Sequence, residues 1–90
     1  MKDKITAILR KEFQPSELSV IDDSARHAGH AETMASGGGH YQILIVSAAF
    51  DGAGLTERHR MIYRALKPLS SGIHALGIRA YTPREHNLRA

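Results

Sequence analysis

The segment HYQILIVSAAFDGAGLTERHRMIYRAL, residues 40–66, holds the most apolar run of the chain, then a glycine-bearing turn, then a stretch with helical periodicity. Tyr41–Ser47 is rich in β-branched residues and is too short for a typical helix, so it predicts a buried strand. Glycines precede this run, and Asp51, Gly52 and Gly54 follow it as turn signals. The other elements are expected to pack onto this strand and the helix after it.

Residues before this segment predict a helix and a first strand. Apolar residues at helical spacing indicate an amphipathic helix over residues 2–13, and Pro15 ends it because proline disfavours helical geometry in the residue before it. Leu18–Asp22 alternates as a strand does. The loop at residues 25–39 is long and rich in Gly, Ser, Ala and His, and the strands on either side of it are expected to pair antiparallel.

Residues after the segment predict a second helix and a third strand. Five apolar residues mark the expected buried face of the helix: Leu55, Ile62, Ala65, Leu66 and Leu69. Pro68 ends this helix, and residues 73–81 read as a strand that pairs parallel with Tyr41–Ser47 through the helical crossover. Thr82 and Pro83 suit the N-cap and first position of a short helical turn, and residues 87–90 are expected to fray.

The order helix-strand-strand-helix-strand, with a short C-terminal helical turn, predicts a two-layer α/β domain of the α+β kind over residues 1–90. Its three-stranded mixed sheet is expected to carry the helices on one face. A length of 90 residues with 42% hydrophobic content fits one small domain. The chain has no apolar run near the ~20 residues that cross a bilayer, and its first residues do not resemble a secretory signal, so a cytoplasmic protein that binds no membrane is expected.

Composition also limits the chemistry. The chain has no cysteine, which excludes disulfides, thiolate zinc sites and cysteine nucleophiles made by this chain alone. Ser24 and Ser47 lack a nucleophile-elbow context, and no phosphate-binding loop occurs. Asp22 and Asp23 are neighbours on a strand and therefore face opposite sides. A protein that is not an enzyme is expected.

Six histidines are the most informative feature of the composition. His27 and His30 lie in the long loop, His40 lies at its end, and His74 lies at the start of the third strand. Imidazole is a common metal ligand, and two histidines make half of a tetrahedral site that a partner's thiolates would complete. Mixed histidine and cysteine ligation of an iron–sulfur cluster has this form. A structural histidine on a strand is the alternative for His74.

The second helix carries Arg58-His59-Arg60, followed by Arg64 and Lys67. The chain has a net charge of +3, and these basic residues are compatible with phosphate contacts to a nucleic acid. The alternative is a solvated basic surface with His59 near the edge of the core. Aromatic residues are few, and the Gly-x-x-Gly backbone clamp of KH domains is missing.

Several short segments spread over nearly the whole chain form a recognisable combination. These segments are Val20-Ile21-Asp22-Asp23-Ser24 with the His/Gly loop after it, His40-Tyr41, Ile45-Val46-Ser47, Phe50-Asp51-Gly52, Arg58-His59-Arg60 with Met61-Ile62-Tyr63, Ile73-His74-Ala75-Leu76 and Thr82-Pro83. In their order and spacing they resemble the BolA-like family, and the combination of Arg-His-Arg with Ile-His-Ala-Leu is specific. The resemblance implies a class II KH-like α/β fold.

The resemblance also implies a function. In that family a strand histidine, here His74, and a loop cysteine or histidine complete a bridging [2Fe–2S] cluster with a monothiol glutaredoxin and glutathione. This chain would be of the histidine-loop type, with His30 as first choice for the second ligand, His27 as second and His40 as third. The isolated chain, expected as a monomer or weak dimer, would then hold no cofactor.

The family is also described as transcriptional regulators that bind DNA. For this chain, the resemblance would place four basic side chains on phosphates: Arg58, Arg60, Arg64 and Lys67.

Overall fold

A computed structural model of the chain describes residues 1–24 and 38–89. Its elements follow the order α1 (Lys2–Phe13), β1 (Glu17–Asp22), β2 (Gly39–Val46), α2 (Leu55–Ala65), β3 (Ile73–Tyr81) and α3 (Pro83–Arg89). Short 3-10 helices at Ala48–Phe50 and Lys67–Gly72 come before and after α2. The predicted succession of helices and strands is therefore confirmed.

The sheet has the strand order β1-β2-β3, with β2 in the centre. β1 pairs antiparallel with β2, with Val20 opposite Ile43. β3 pairs parallel with β2, with Ile78 opposite the same Ile43. The mixed three-stranded sheet predicted from the periodicity of the sequence is confirmed.

The core lies between one face of this sheet and the two longer helices. Ile5, Leu9 and Phe13 of α1 recur at i, i+4 and i+8, so helical periodicity brings all three to the buried side. They meet alternate residues of β2 and the inward residues Ile62 and Leu66 near the end of α2. A hydrophobic layer therefore fixes the helices above β2.

Ser47, at the end of β2, has a structural role. Its side chain is buried, and its hydroxyl donates to the carbonyl of Phe13 at 2.6 Å while accepting from the N–H of Ala49 at 3.0 Å. The hydroxyl thus caps a helix end and ties α1 to β2.

Several element boundaries differ by a few residues from those predicted, among them the start of β2 and the end of the C-terminal helix. β2 begins at Gly39 rather than Tyr41, so His40 belongs to the strand instead of preceding it. The C-terminal helix runs to Arg89 and includes residues expected to fray. Contacts of its side chains with the sheet explain the extension, since the ring of His86 lies 2.5 Å from a carboxylate oxygen of Glu17, and the guanidinium of Arg89 lies over the ring of Tyr81.

The expectation that Leu55 belongs to the buried face of α2 is wrong. Leu55 is 69% exposed, although the inward positions of the later turns are filled as predicted by Ile62 and Leu66. Arg58 takes the inward position at the start of the helix. No helix in residues 1–24 and 38–89 is long and apolar enough to cross a membrane.

Candidate metal-ligand site

The imidazoles of His40 and His74 meet at one end of the sheet. Their ring centroids are 5.0 Å apart and their planes are inclined by 39°. His74 is exposed and His40 is half-buried. Two side chains 34 positions apart in the sequence therefore form an imidazole pair at the surface.

An irregularity in the sheet positions His74. Gly39 is opposite Ile73 and His40 is opposite Ala75, so His74 is an extra residue in the pairing of β2 with β3. Such a bulge locally changes the direction of the strand and of the side chain it carries. His74 lies at this bulge, so the regular alternation expected of a strand over residues 73–81 is interrupted at His74.

The end of β1 supports the backbone of His40. The N–H of His40 donates to the hydroxyl oxygen of Ser24 at 3.0 Å, and its carbonyl accepts from the N–H of Asp23 at 2.7 Å. Hydrogen bonds from Ser24 lower the pKa of Asp22, because they stabilise its ionised carboxylate. The pairing partner of β2 thus holds the strand end that carries His40.

Gly38 supports the other member of the pair. A Cβ placed on Gly38 would lie 2.7 Å from the backbone nitrogen of His74 and 2.9 Å from its Cβ. Only glycine allows this close approach of the two chain segments. Part of the glycine run before β2 is therefore explained by the packing against His74.

The predicted ligands fall into two groups. His27 and His30, the preferred loop histidines, lie outside the described residues. His40, the third choice, lies beside His74. Within the part of the chain that the structure describes, no group of three or more potential metal-ligating residues occurs. The imidazole pair thus offers two nitrogen ligands, and a metal bound there needs further ligands from elsewhere.

Arg58 does not lie on the exposed basic face where phosphate contacts were expected. Its side chain is only 7% exposed, and its two terminal nitrogens donate to the carboxylate of Glu85 at 2.6 and 3.0 Å. It also donates to the carbonyls of Ala53 at 2.8 Å and Ala80 at 3.0 Å. With these contacts inside the chain, Arg58 is a structural residue and is removed from the predicted nucleic-acid contacts.

Glu85 is a residue whose role was not predicted. Its carboxylate accepts from the N–H of Thr82 at 2.9 Å, and the N–H of Glu85 donates to the hydroxyl oxygen of Thr82 at 3.2 Å, which is the reciprocal capping box. The Thr-x-x-Glu pattern is a sequence signal for this box. Hydrogen bonds from Arg58, and to a lesser extent from Thr82, lower the pKa of Glu85 to about 2.

The remaining members of the predicted basic face are at the surface. Arg60, Arg64 and Lys67 are exposed, at helical spacing that keeps them on one side of α2 and the turn after it. The guanidinium of Arg60 is 3.9 Å from the carboxylate of the exposed Glu57. His59, which was expected near the edge of the core in the alternative interpretation, is exposed as well.

A cavity of about 430 Å³ lies between α1 and α2, with Phe13, Met61 and Arg64 among its lining residues. No histidine lines it. His74 of the imidazole pair instead borders a smaller cavity of about 80 Å³, which Tyr63 and Leu76 also line. The volume of a cavity therefore does not identify the candidate site, whereas the paired imidazoles identify it.

Comparison with known proteins identifies the family. A family model described as BolA-like protein matches residues 9–85. The chain belongs to the BolA-like family. The solved structure of the BolA domain of SufE1 from Arabidopsis thaliana is 46% identical, covers 93% of each chain and gives a TM-score of 0.80. BolA1 from the same plant is 38% identical, with 94% of each chain covered and a TM-score of 0.80.

Curated relatives include longer proteins. SufE-like protein 1 of Arabidopsis thaliana is 48% identical over 91% of this chain, which spans only 24% of that protein. The chain spans 50% of the chloroplastic protein BOLA1 of the same plant. The DNA-binding transcriptional regulator BolA of Escherichia coli (strain K12) is 38% identical, with 94% of this chain and 78% of the regulator covered. The family therefore occurs both as a separate regulator and as part of larger chains.

Proposed function

We propose that this BolA-like chain is a non-enzymatic adaptor that shares a [2Fe–2S] cluster with a monothiol glutaredoxin and glutathione, in iron–sulfur trafficking or iron-dependent regulation. The single observation that carries the proposal is the exposed ring of His74 with the ring of His40 5.0 Å away. In this role His74 is the first ligand and His40 the second. The partner and glutathione supply the sulfur ligands, because this chain has no thiol.

The donor set suits such a cluster. In Rieske centres two histidines replace two cysteines on one iron of a [2Fe–2S] cluster, which raises its reduction potential. Imidazoles at a surface leave room for a second protein, whereas a buried pair would exclude it. His40 and His74 come from adjacent strands, so the sheet holds them together before a partner arrives.

His40 replaces His30 as the preferred second ligand for a geometric reason. Strand pairing fixes the backbone of His40 beside β3, and its N–H is held by Ser24. A ligand held in place before binding costs less conformational entropy than one that must be ordered. His27 and His30 stay as alternative second ligands.

A spectroscopic titration tests the proposal. Addition of the chain to a cluster-loaded monothiol glutaredoxin is expected to change the visible circular dichroism, since replacing a sulfur ligand by imidazole alters the electronic transitions of the cluster. His74→Ala should abolish this change, and His40→Ala should alter or weaken it. His86→Ala is the control, because His86 lies on α3, where its ring contacts Glu17 and Tyr81 and does not belong to the imidazole pair. An unchanged response of His74→Ala would refute ligation by His74.

The second candidate function is DNA binding by a transcriptional regulator. The Escherichia coli relative is a DNA-binding transcriptional regulator, and this chain exposes the cations Arg60, Arg64 and Lys67, which favours the same role here. Phosphate contacts by such side chains release counterions, so the affinity would fall steeply with salt. Measurement of DNA affinity for the variant lacking all three charges tests this candidate, and an unchanged affinity would refute it.

A further inference from the structure

One edge of the sheet is open in the described part of the chain, where β3 pairs only with β2. The N–H of Ser47 donates to the carbonyl of Tyr81, which therefore points towards β2. Since backbone groups of successive strand residues point to alternate sides, Ala80, Ile78 and Leu76 direct theirs away from β2. An edge of this kind presents unpaired donors and acceptors that an added strand can satisfy.

Arg58 limits this open edge at one end. Its guanidinium donates to the carbonyl of Ala80, which confirms that this carbonyl faces away from β2. At the other end lies the bulge at His74. The available edge thus consists of the residues between them, with Leu76 and Ile78 as its outward-facing members.

A groove accompanies the open edge. Leu55, His59 and Tyr63 are spaced at i, i+4 and i+8 on α2, and all three are exposed, Leu55 by 69% and Tyr63 by 51%. Leu55 and His59 border a cavity of about 360 Å³ next to Ile78. Tyr63 borders the cavity next to Leu76 and His74. We call this surface, between the Leu55–His59–Tyr63 stripe and the outward edge of β3, the edge groove.

The chemistry of the edge groove selects its occupant. Its two cavities are lined mainly by apolar residues, and neither is lined by an aspartate or glutamate. Arg79 and His59 line the cavity at the far end from His74. An occupant with apolar side chains and an acidic residue near Arg79 complements this lining. A nucleic-acid strand would meet a single arginine and would leave the unpaired backbone groups of β3 without strand partners.

We infer that the edge groove binds an extended segment of a protein partner, which adds to the sheet as a fourth strand beside β3. Main-chain hydrogen bonds to Leu76 and Ile78 give affinity, and the two cavities accept apolar side chains of the segment. Because the edge groove ends at His74, a partner held there brings its own ligands to the imidazole pair. The inference rests on the proposed function for the identity of the partner as a monothiol glutaredoxin.

The test uses that glutaredoxin without a cluster, so that docking is measured apart from metal ligation. Leu55→Asp should weaken its binding by about tenfold or more, because an unpaired carboxylate is costly in an apolar contact. Leu88→Asp is the matched control, since Leu88 is 79% exposed on α3 and should leave the affinity unchanged. Amide exchange at Leu76 and Ile78 should slow in the complex.

Several results would overturn the inference. Wild-type affinity of Leu55→Asp, unchanged amide exchange at Leu76 and Ile78, or no binding of the cluster-free glutaredoxin would each do so. Concentration-dependent dimerisation of the free chain that Leu55→Asp abolishes would assign the edge groove to a second copy. Binding of a single-stranded oligonucleotide that Leu55→Asp abolishes, with glutaredoxin binding intact, would assign it to nucleic acid.

The outcome is separable from that of the proposed function. If Leu55→Asp weakens docking while His74→Ala leaves the spectrum of the cluster-loaded complex unchanged, the edge groove stands and cluster ligation fails. If His74→Ala changes the spectrum while Leu55→Asp binds normally, cluster ligation stands and the edge groove fails.

Discussion

Gly38 lies against the backbone of His74 so closely that a methyl group on Gly38 would come within 2.7 Å of the His74 nitrogen. The chain enters β2 through this contact, and the next two residues place the ring of His40 beside that of His74. The geometry of the imidazole pair therefore depends on a residue that carries no side chain.

Gly38→Ala is expected to disturb the imidazole pair. The added Cβ cannot be accommodated without moving the backbone of β3, and overpacking of this kind costs about 1–3 kcal/mol of unfolding free energy. Chemical denaturation measures that cost, and the cluster-dependent change in visible circular dichroism should shrink in parallel. Gly54→Ala is the control, because a Cβ at Gly54 meets no atom within 4 Å. Equal behaviour of the two variants would contradict the role given to Gly38.

Arg58→Ala is expected to lower the unfolding free energy by about 2–4 kcal/mol, because hydrogen bonds made by a charged group are strong and the carbonyls of Ala53 and Ala80 lose their donor. The estimate allows for the partial exposure of Glu85, which screens the ion pair. Arg60→Ala is the matched control from the same Arg-His-Arg motif. Arg60 is exposed, so its replacement should change stability by less than about 0.5 kcal/mol. A similar loss for both variants would contradict the distinction.

Glu85 predicts a dependence of stability on acid pH. Hydrogen bonds from Arg58 and Thr82 lower its pKa in the folded chain to about 2, from an ordinary value of 4.5. The ionised carboxylate therefore stabilises the fold fully above the ordinary value, and this contribution is lost as the pH falls from about 4.5 to about 2.

Glu85→Gln removes this ionisation. The difference in unfolding free energy between wild type and Glu85→Gln should be constant near neutral pH and should shrink through the acid window. Denaturation curves recorded at several pH values measure the difference. Glu57→Gln is the control, since Glu57 lies 3.9 Å from the exposed Arg60 and contributes little. A difference that grew on acidification would contradict the assigned direction.

The basic face predicts a specific pattern of salt dependence if the chain binds DNA. Substitution of Arg60, Arg64 and Lys67 by alanine should weaken binding and reduce the slope of log K against log salt by up to about 0.9 for each lost phosphate contact. Arg58→Ala, if folded at the assay temperature, should leave the slope unchanged because its guanidinium faces the chain interior. Fluorescence anisotropy over a range of salt concentrations measures both. An unchanged slope for the triple variant would exclude this face.

Much of the fold follows from local sequence patterns. The helical spacing of Ile5, Leu9 and Phe13 predicts the buried side of α1, and the β-branched run predicts that β2 is buried. The structure confirms both predictions. Leu55 shows where periodicity fails. Its spacing fits the buried face, but the first turn of α2 uses its inward position for Arg58, whose partner Glu85 is 27 residues away. A contact over that separation has no local signal.

The candidate site could be predicted only in part, because it also depends on contacts between residues that lie far apart in the sequence. His74 could be singled out as a histidine at a strand start, and its exposure agrees with a ligand role. The sequence favours His30, which follows Gly29 in the long loop, and ranks His40 third because it abuts the predicted strand. Strand pairing extends β2 to Gly39, two residues before the apolar run, because the sheet partners and Ser24 satisfy its backbone groups. Tertiary hydrogen bonds, rather than local propensity, thus bring His40 to His74.

Pulsed electron paramagnetic resonance on the reduced cluster tests ligation by the imidazole pair most directly. The chain is labelled with nitrogen-15 histidine and combined with an unlabelled, cluster-loaded monothiol glutaredoxin. Cluster ligation by His74 and His40 predicts strong nitrogen-15 couplings from two imidazoles, of which His40→Ala removes one and His74→Ala removes the other. A spectrum without strong nitrogen-15 coupling from the wild-type chain would contradict cluster ligation.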